Sequence, residues 1–316
     1  MRAAVYDRFG GPDVLAVREV PDPVPAAGAI LVRVRAAALN PKDVLVRKGK
    51  FRPLAGRGFP RGIGFDWAGE VVSADGAGPG GDGYRPGDRL FGMIDGWRGR
   101  SCAELVAVSP GQCARMPAAL PFEEAAALPL VAQTALQALR DLGGVGPGDT
   151  VCVNGGSGGV GTHAIQVARA LGAQVVSVSS ARNLALCREL GAAEALDYAR
   201  DDPFAVPARY RVVFDTVGSV TYARARRALD RRGTFVAAVP SLRILLDALR
   251  TALGRPRARL VVVRSRAVDL VAIAQLVETG RLRAVVDRVF ALEEIGAACA
   301  HVETRRARGK VVLRIA

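Results

Sequence analysis

Metal-binding and cross-linking side chains are scarce in this chain, which has five cysteines and two histidines among its 316 residues. The cysteines are scattered, so that no Cys-x-x-Cys pair and no spacing typical of zinc ligands occurs. This distribution argues against a disulfide framework and a zinc site, and it is typical of a protein that works in a reducing cytoplasm. The five positions are Cys102, Cys113, Cys152, Cys187 and Cys299.

Long apolar segments are missing from the sequence as well. No apolar run approaches the roughly 20 residues that cross a bilayer, and Met1–Tyr6 leads directly into strand-like sequence without the apolar region of a secretion signal. We therefore expect a cytoplasmic protein with no membrane partner. Half of the residues are hydrophobic, which suffices for a large core and, at this length, favours two domains.

Acidic residues are in the minority, because 44 Lys and Arg face 30 Asp and Glu and give a formal net charge of +14. A nucleic-acid groove would combine clustered cations with interleaved aromatic rings, whereas aromatic residues make up 5% of this chain and its arginines are spread over most segments. The sequence therefore predicts no nucleic-acid partner. The densest group, Arg255, Arg257, Arg259, Arg264 and Arg266, leaves open an anionic partner such as coenzyme A or an acidic carrier protein.

A short apolar strand, a glycine turn and a helix follow one another over residues 149–172. Gly155, Gly158 and Gly161 stand where a tight turn, a close approach to a pyrophosphate and close helix packing each exclude a Cβ. The helix directs its free N–H groups at the phosphates. Further apolar runs with the spacing of βαβ units favour a dinucleotide site over a purely structural glycine turn. These runs are Gln174–Val178, Glu194–Tyr198 and Arg211–Asp215.

The residues after the second strand of this region indicate which dinucleotide it takes. An acidic side chain there would bond the adenosine ribose and repel a 2′-phosphate, but the chain has Ser180, Arg182 and Asn183 at this point. Hydroxyl, guanidinium and amide groups hold a phosphate through charge-assisted hydrogen bonds, so the sequence favours NADPH over NADH. The alternative is that Ser180 only caps the next helix and Arg182 is a solvated residue of its first turn.

The hydrophobic patterns divide the chain into a β-rich module and an α/β region. Short alternating runs such as Ile30–Arg35 and Ala68–Val72 predict an antiparallel β module in the first part. The fold class is therefore α/β, with a doubly wound parallel sheet beside this module. We also predict helices at Pro121–Arg140, Ala267–Thr279 and near Leu292–Thr304, strands at Thr234–Val239, Leu260–Val263, Val285–Val289 and Gly309–Ile315, and a surface loop at Asp75–Gly83.

Motifs spread over nearly the whole chain carry a resemblance to a known family. They are Ala36–Asp43, Arg47–Gly49, Gly64–Val71, Pro86–Gly92, Ala127–Pro129, Thr134–Ala135, Gly191–Tyr198 and Gly309–Val312. With them, the order of β module, Gly-x-x-Gly-x-x-Gly region and returning tail resembles the medium-chain dehydrogenase/reductase superfamily in its zinc-free quinone oxidoreductase branch. Ser180–Asn183 and Lys48–Pro53 are most similar to the chloroplast-envelope quinone oxidoreductases and alkenal/one reductases of that branch.

The resemblance implies a GroES-like β-barrel catalytic domain over residues 1–118 and 266–316 and a Rossmann NADPH-binding domain over residues 119–265. It implies a homodimer that transfers hydride from NADPH to the activated C=C bond of an enone or enal. A polyketide or an acyl thioester as substrate is suggested by the arginine group at residues 255–266 instead. Two alternatives stay open. One is an NADPH:quinone oxidoreductase, which would share every motif, and the other is a non-catalytic NADPH-binding structural or regulatory protein.

Two positions bear on zinc. Where zinc-dependent members of the family carry their catalytic Cys and His, this chain has Asn40 and Phe65, so the resemblance implies hydride transfer without a metal. Asn40 is then the leading catalytic candidate, because its amide can hold the negative charge that develops on a carbonyl oxygen. The alternative is an Asn that caps the turn at Pro41, and Lys42 and Asp43 are expected to be an exposed cation and a helix-start carboxylate.

Aromatic side chains are expected to line the substrate pocket, although each also fits a plain core. Many quinone reductases place a tyrosine near the positions of Leu45 and Phe51, and both are apolar here, so we expect protonation from water. The two histidines, His163 and His301, are interpreted as packing or surface residues. The pocket candidates are Phe51, Phe65, Trp67 and Trp97.

The cofactor contacts of the family carry over to residues at the ends of the predicted strands. For Tyr198 the alternative is a buried tyrosine at a strand end. The set comprises Thr134 on the phosphate or nicotinamide side, Gly155, Gly158, Gly159, Val160 and Gly161 at the pyrophosphate, Ser180, Arg182 and Tyr198 at the 2′-phosphate, and Val217, Gly218, Ala238 and Val239 at the nicotinamide face.

Overall fold

The computed structural model describes residues 1–56, 58–74 and 83–315, so the loop predicted at Asp75–Gly83 falls outside the described residues except for Gly83. Contacts divide the chain into two compact units. Residues 119–133, which the sequence assigned to the nucleotide-binding domain, lie in unit 1, and the predicted limits of the functional domains stay predictions. Unit 1 comprises Met1–Gln133, Arg264–Glu278 and Ala284–Ala316, and unit 2 comprises Thr134–Val263 and Thr279–Arg283.

The strands fall into an early group, a central group and a late pair. The early group is β1 (Arg2–Tyr6), β2 (Ala16–Glu19), β3 (Ile30–Leu39), β4 (Arg61–Gly62), β5 (Asp66–Ala74), β6 (Arg89–Met93), β7 (Leu105–Val108) and β8 (Cys113–Arg115). The central group is β9 (Thr150–Asn154), β10 (Gln174–Ser179), β11 (Glu194–Asp197), β12 (Tyr210–Asp215), β13 (Leu229–Ala237) and β14 (Arg257–Leu260). The late pair is β15 (Val286–Ala291) and β16 (Lys310–Arg314).

The helices include several short ones in the loops of the sheets. They are α1 (Pro41–Arg47), α2 (Arg52–Ala55), α3 (Phe122–Ala126), α4 (Pro129–Leu136), α5 (Gly159–Ala170), α6 (Leu184–Glu189), α7 (Tyr222–Ala225), α8 (Leu242–Arg250), α9 (Ala267–Glu278) and α10 (Ile295–Glu303). Tighter turns of 3-10 helix lie at Pro12–Val14, Pro110–Gln112, Ala181–Asn183 and Leu292–Glu294. In the part of the chain that the structure describes, no helix is long and apolar enough to cross a membrane.

Unit 1 holds the antiparallel β module that the sequence predicted. One sheet has the order β15-β16-β3-β5-β6-β8 with β7 also paired to β3, and a smaller sheet has the order β2-β1-β4. The early residues of β3 alternate between buried and accessible positions, whereas Ala36–Leu39 are all buried. These last residues are covered on both faces because α3 packs on β3, and small alanine side chains permit that approach.

Unit 2 is a six-stranded parallel sheet with the order β11-β10-β9-β12-β13-β14. The first strand of the unit therefore lies inside the sheet, and the strand order reverses on either side of it. This is the doubly wound arrangement that the sequence predicted, in which ligands bind beyond the carboxyl ends of the strands at the point of reversal. The strands are nearly continuously apolar because both faces are covered, and their core includes Cys152, Val176, Val178, Val213 and Phe235.

The helix predicted over Pro121–Arg140 is divided in the structure. Two short helices, α3 and α4, are followed by a π-helical turn at Gln137–Leu142. Proline lacks the N–H that a helix interior needs but fits a first helical turn, so Pro129 ends the run of α3 and begins α4. The pattern of apolar residues alone does not reveal this break.

The strand predicted at Leu260–Val263 lies three residues earlier, at Arg257–Leu260. Ala258 pairs with Phe235 of β13 and is fully buried. Arginines on both sides of Ala258 are compatible with a strand here because β14 is at the edge of its sheet. The other predicted helices and strands agree with the observed ones to within a few residues.

Candidate active site

The glycine turn after β9 is packed tightly enough to require two of its glycines. A Cβ on Gly161 would lie 2.1 Å from the carbonyl oxygen of Gly155. A Cβ on Gly155, whose φ is +84°, would lie 2.5 Å from Oγ1 of Thr216. Both positions therefore exclude any larger residue for reasons internal to the protein.

Gly158 differs from these two glycines. A Cβ there would meet only the carbonyl oxygen of Gly155, at an ordinary contact distance of 3.5 Å. Packing within the protein does not require this glycine, and its lack of a side chain leaves room for the close approach of a phosphate. Gly159 and Val160 begin α5, a helix of 12 residues, and the first N–H groups of a helix are available to an anion. The turn therefore fits the pyrophosphate of a dinucleotide.

The predicted 2′-phosphate residues lie after β10 and β11. Arg182 is exposed and, among the described residues, has no recorded hydrogen bond or ion pair. Tyr198 is 67% exposed, so the alternative of a buried strand-end tyrosine is wrong. Ser180 precedes a helical turn but makes no side-chain cap bond to its backbone. Its Oγ instead accepts a hydrogen bond from Nδ2 of Asn183 at 3.2 Å, and this same nitrogen donates to Oγ of Ser157 in the glycine turn at 2.9 Å.

A buried carboxylate that sequence reasoning missed holds the loop after β12. Asp215 is fully buried, and its oxygens accept the backbone N–H groups of Val217 at 3.2 Å, Gly218 at 3.0 Å and Val220 at 2.9 Å. Nδ2 of Asn154 donates to the same carboxylate at 2.9 Å. The available signal was an Asp at a strand end followed by a Gly three residues later, a pattern typical of a side-chain-stabilised turn.

The residues predicted at the nicotinamide face gather at the carboxyl ends of β12 and β13. Val217 and Val239 are 49% and 39% exposed. Gly218 has a φ of +79°, and a Cβ on it would lie 3.1 Å from Cβ of Val239. The N–H of Ala238 donates to the carbonyl oxygen of Asp215 at 2.9 Å. Together with the glycine turn they form one edge of the parallel sheet, where a dinucleotide is expected.

Thr134, the remaining cofactor candidate, lies in α4 and is 5% exposed. The chain passes from unit 1 to unit 2 immediately before this residue. Its contact with a phosphate or the nicotinamide stays a prediction.

A buried polar network surrounds Asn40 in unit 1. Its Nδ2 donates to Oδ2 of Asp66 at 2.9 Å, and its Oδ1 accepts a hydrogen bond from Nζ of Lys310. Lys310 also donates to Asp66 at 2.9 Å, and all three residues are 2% exposed or less. Buried charges of opposite sign that are also hydrogen-bonded offset each other's desolvation. The second N–H of the Asn40 amide points at the carbonyl oxygen of Ala38, 3.5 Å away, so the predicted donation to a substrate finds no support in this arrangement.

Asp43 is the helix-start carboxylate that the sequence predicted, but it is buried. Its Oδ2 accepts the backbone N–H of Asn40 and its Oδ1 that of Gly64, both at 2.8 Å. Asn40 therefore precedes α1 without capping it through its own side chain, because its Oδ1 is bonded to Lys310. Burial raises the pKa of Asp43 to about 6, although the two N–H bonds act in the opposite direction.

Lys42 is not the exposed cation that the sequence suggested. It is half-buried, with Nζ 3.9 Å from the centroid of the Phe65 ring and 5.2 Å from that of Trp97. Both distances are in the range of cation–π attraction. Burial lowers the pKa of Lys42, and nearby carboxylates offset only part of this effect.

The four aromatic pocket candidates fall into two pairs. Phe51 and Trp97 are half-buried, and their ring centroids are 4.3 Å apart. Phe65 and Trp67 are 1% and 0% exposed. Trp67 packs against Gly92 of the neighbouring strand, where a Cβ would lie 2.8 Å from its ring. Trp67 is thus a core residue without surface to offer a ligand. Phe65 is also buried, and its ring contacts the ammonium group of Lys42.

The donor set of unit 1 does not suit zinc. Phe65 has no donor atom, and the side chain of Asn40 is bonded to charged neighbours. Within residues 1–56, 58–74 and 83–315, no group of three or more His, Cys, Asp or Glu side chains could hold a metal ion. His163 is buried in α5, and His301 contacts Asp287 through Nε2 at 2.6 Å, which agrees with packing and surface roles.

The arginine group predicted to meet an anionic partner is divided between the units. Arg255, Arg257 and Arg259 belong to unit 2, whereas the other two belong to unit 1. The pKa of Arg259 is lowered by burial and by its two arginine neighbours. The anionic partner stays a prediction.

Known proteins resemble this chain along its whole length. Residues 26–128 match the alcohol dehydrogenase GroES-like domain family and residues 190–313 the zinc-binding dehydrogenase family. The chain is 31% identical to the mitochondrial NAD(P)H oxidoreductase RTN4IP1 of Mus musculus, over 100% of this chain and 89% of that protein. It is 34% identical to 2-methylene-furan-3-one reductase of Solanum lycopersicum, over 99% and 79%. The structure of the quinone oxidoreductase from Coxiella burnetii matches with a TM-score of 0.89 at 30% identity, over 100% and 99% of the two chains.

Proposed function

The chain belongs to the medium-chain dehydrogenase/reductase superfamily, and on that premise we propose that it transfers hydride from NADPH to the activated C=C bond of an α,β-unsaturated carbonyl compound. It is an oxidoreductase of the quinone oxidoreductase type and takes a nicotinamide cofactor. The name of one relative, 2-methylene-furan-3-one reductase, denotes a conjugated enone as substrate and supports the proposed reaction.

The residues proposed to hold the cofactor lie at the carboxyl edge of the sheet in unit 2. Gly158, Gly159 and Val160 offer backbone N–H groups to the pyrophosphate, and the loop held by Asp215 presents Val217 to the nicotinamide. When bound, NADPH supplies the hydride. The protein contributes position and exclusion of water, because the exposed valine side chains at this edge cover the apolar face of a ring.

The exposed Arg182 carries the choice of NADPH over NADH. No acidic residue follows β10 at this point, and Arg182 lies beside Ser180 with its guanidinium unengaged among the described residues. The exposed Tyr198 adds a hydroxyl after the neighbouring strand. A phosphate monoester on the adenosine ribose would find a cation and hydroxyl donors here, whereas an unmodified ribose would find no carboxylate acceptor.

The test follows loss of reduced cofactor with a simple enone, an enal and a 1,4-quinone. We expect NADPH-dependent turnover of the enone. Arg182→Ala is expected to raise the Kd of NADPH by about 10- to 100-fold, because a hydrogen bond to a charged group contributes about 1.5–3 kcal/mol, and to leave NADH binding unchanged. Arg227→Ala, another exposed arginine of unit 2, is the control. Equal affinity of the wild type for NADH and NADPH would contradict the choice of cofactor.

A quinone oxidoreductase is the second candidate function, favoured by the likeness to the Coxiella burnetii enzyme. Turnover of the 1,4-quinone without turnover of the enone or enal would establish it. Binding of NADPH without turnover of any of the three would instead favour the non-catalytic alternative. A cytoplasmic location and a homodimer remain part of the proposal, and the oligomeric state can be measured by sedimentation.

A further inference from the structure

We propose that the Lys42 ammonium group hydrogen-bonds the carbonyl oxygen of the substrate and holds the negative charge that forms on it. This rests on the proposed function and names the residue that binds the substrate carbonyl. Hydride forms a C–H bond at the β-carbon, the C=C π pair moves between the α-carbon and the carbonyl carbon, and the carbonyl π pair goes onto oxygen. The α-carbon then takes a proton from water, so the substrate gains two electrons that the dinucleotide loses.

The surroundings of Lys42 attract a cation without occupying its protons. Nζ lies over the ring of Phe65 at 3.9 Å and near that of Trp97 at 5.2 Å, and Trp97 in turn lies 4.3 Å from Phe51. An aromatic face attracts the charge, but it does not satisfy an N–H group as an oxygen does. The half-buried rings of Phe51 and Trp97 also offer apolar surface to a flat conjugated molecule.

Two of the three carboxylates around Lys42 are engaged elsewhere, and the third, Asp95, has no recorded ion pair with Lys42 among the described residues. Those that act on it are Asp43 of α1, Asp66 of β5 and Asp95 after β6. Asp43 accepts two backbone N–H bonds, and Asp66 is bonded to Lys310. In the described parts of the chain, Lys42 has no recorded hydrogen bond or ion pair. Its ammonium group is therefore left to bind an external oxygen.

Two other lysines show what an engaged ammonium looks like in this unit. Lys310 is 2% exposed and bonded to Asp66 and Asn40. Lys48, at the other end of α1, is 40% exposed and bonded to Glu303 at 2.6 Å. Of the three, Lys42 alone combines partial burial with an unengaged ammonium group.

Partial burial makes Lys42 suited to charge that appears only during reaction. Its pKa is lowered because the ammonium has lost part of its hydration. An oxygen that becomes negative restores that lost interaction most strongly in the transition state, which is the condition for catalysis rather than for mere binding. The amide of Asn40 cannot act in this way, because its N–H group is already donated to Asp66.

The principal test compares Lys42→Met, Lys42→Arg and Lys48→Met with the wild type, using NADPH and an enone. We expect Lys42→Met to lower kcat by about 100- to 1000-fold, the effect of removing one pre-placed donor to an oxyanion. Lys42→Arg, which keeps the charge, is expected to recover part of the rate. Lys48→Met is expected to match the wild type, and the KM for NADPH is expected to stay unchanged in all three variants. Wild-type kcat in Lys42→Met would overturn the proposal.

The pH dependence gives a second readout. Loss of the Lys42 proton removes the charge, so kcat of the wild type is expected to fall at high pH, at a pH below the ordinary range of lysine because the pKa is lowered. The carboxyl groups that face Lys42 are those of Asp43, Asp66 and Asp95, and all three are present in Lys42→Met as well as in the wild type. The fall in kcat at high pH is expected to disappear in Lys42→Met, and its persistence in this variant would count against the role of Lys42.

A third measurement separates this proposal from the proposed function. 4-Nitrophenol absorbs differently as phenol and phenolate, so its ionisation can be followed in the presence of NADP⁺ without any turnover. Wild-type protein is expected to lower the apparent pKa of the bound phenol, and Lys42→Met is expected not to do so, whereas Lys48→Met matches the wild type. If no carbonyl compound is reduced but this difference appears, the enzymatic proposal fails and the oxyanion site stands. If wild type and Lys42→Met behave alike with the phenol, or neither binds it, the oxyanion site is overturned.

Discussion

The glycine turn of unit 2 and the lysine–aromatic group of unit 1 build their sites from different parts of the chain. The turn depends on the absence of side chains, since a Cβ on Gly155 or Gly161 would collide with neighbouring protein atoms, and a Cβ on Gly158 would occupy the space proposed for a phosphate. Lys42 and Phe65 work through side chains that meet although the two residues are 23 positions apart in the sequence. The first kind of site is a local pattern, and the second exists only after folding.

This difference explains what the sequence could predict. The glycine turn, the following helix and the residues at the strand ends were found because each lies within a few residues of a recognisable break. The polar network was not found, because Asp66 and Lys310 are 244 residues apart in the chain. Asn40 was singled out as a catalytic donor or a turn cap, and its bonding to this pair could not be foreseen.

The different surroundings of Phe65 and Trp67 could not be predicted from the sequence. Phe65 and Trp67 are two residues apart, and both are nearly inaccessible. Yet Phe65 receives the Lys42 ammonium on its ring, whereas Trp67 packs against Gly92. Composition and spacing do not distinguish the two rings, because the neighbours that each ring meets after folding, a helix residue for Phe65 and a strand residue for Trp67, decide which ring faces a cation.

Substitutions at Gly161 and Gly158 are expected to give the largest difference in stability. Gly161→Ala is expected to lower the free energy of unfolding by about 3 kcal/mol or more, because its Cβ would lie 2.1 Å from a backbone oxygen that cannot rotate away. Gly158→Ala, where 3.5 Å is available, is expected to fold normally and lose NADPH affinity by at least about 10-fold. Urea unfolding and fluorescence titration with NADPH would measure both. Equal destabilisation by the two substitutions would show that phosphate approach does not explain Gly158.

In unit 1, the contribution of Asp43 to the free energy of unfolding is expected to depend on pH, and this effect is of intermediate size. The pKa of Asp43 is raised from 3.8 to about 6 in the folded protein, so the fold binds this proton more tightly than the unfolded chain does. Stability from this group is therefore present below pH 4 and is lost as the pH rises through about 6. Between about pH 4 and pH 6 the loss is about 2 kcal/mol.

The contribution of Asp43 can be isolated with Asp43→Asn. The difference in free energy of unfolding between wild type and variant should change with pH in this interval, whereas surface carboxylates cancel because both proteins have them. A difference that is constant from pH 4 to pH 6 would mean that Asp43 titrates normally.

The smallest effect concerns the stability of the lysine site. The lowered pKa of Lys42 means that its charged form is disfavoured in the fold, so stability from this group rises with pH between the folded and unfolded pKa values. Lys42→Met is expected to raise the free energy of unfolding at pH 7 by about 1 kcal/mol. Lys48→Met, which removes a partly exposed ion pair, should stay within about 0.5 kcal/mol of the wild type. Destabilisation by Lys42→Met would indicate that the cation–π contact outweighs desolvation.

The carboxylate of Asp215 has a consequence for redesign of the edge proposed to bind the cofactor. It holds the following loop through the backbone N–H groups of Val217, Gly218 and Val220 rather than through their side chains. The path of the loop is thus independent of the side chain at Val217, which is 49% exposed. Position 217 can accept a library of residues while the loop keeps its shape, whereas position 215 cannot. Because Asp215 fixes the backbone of the loop, the side chain at position 217 can be exchanged, whereas the carboxylate at position 215 must be kept.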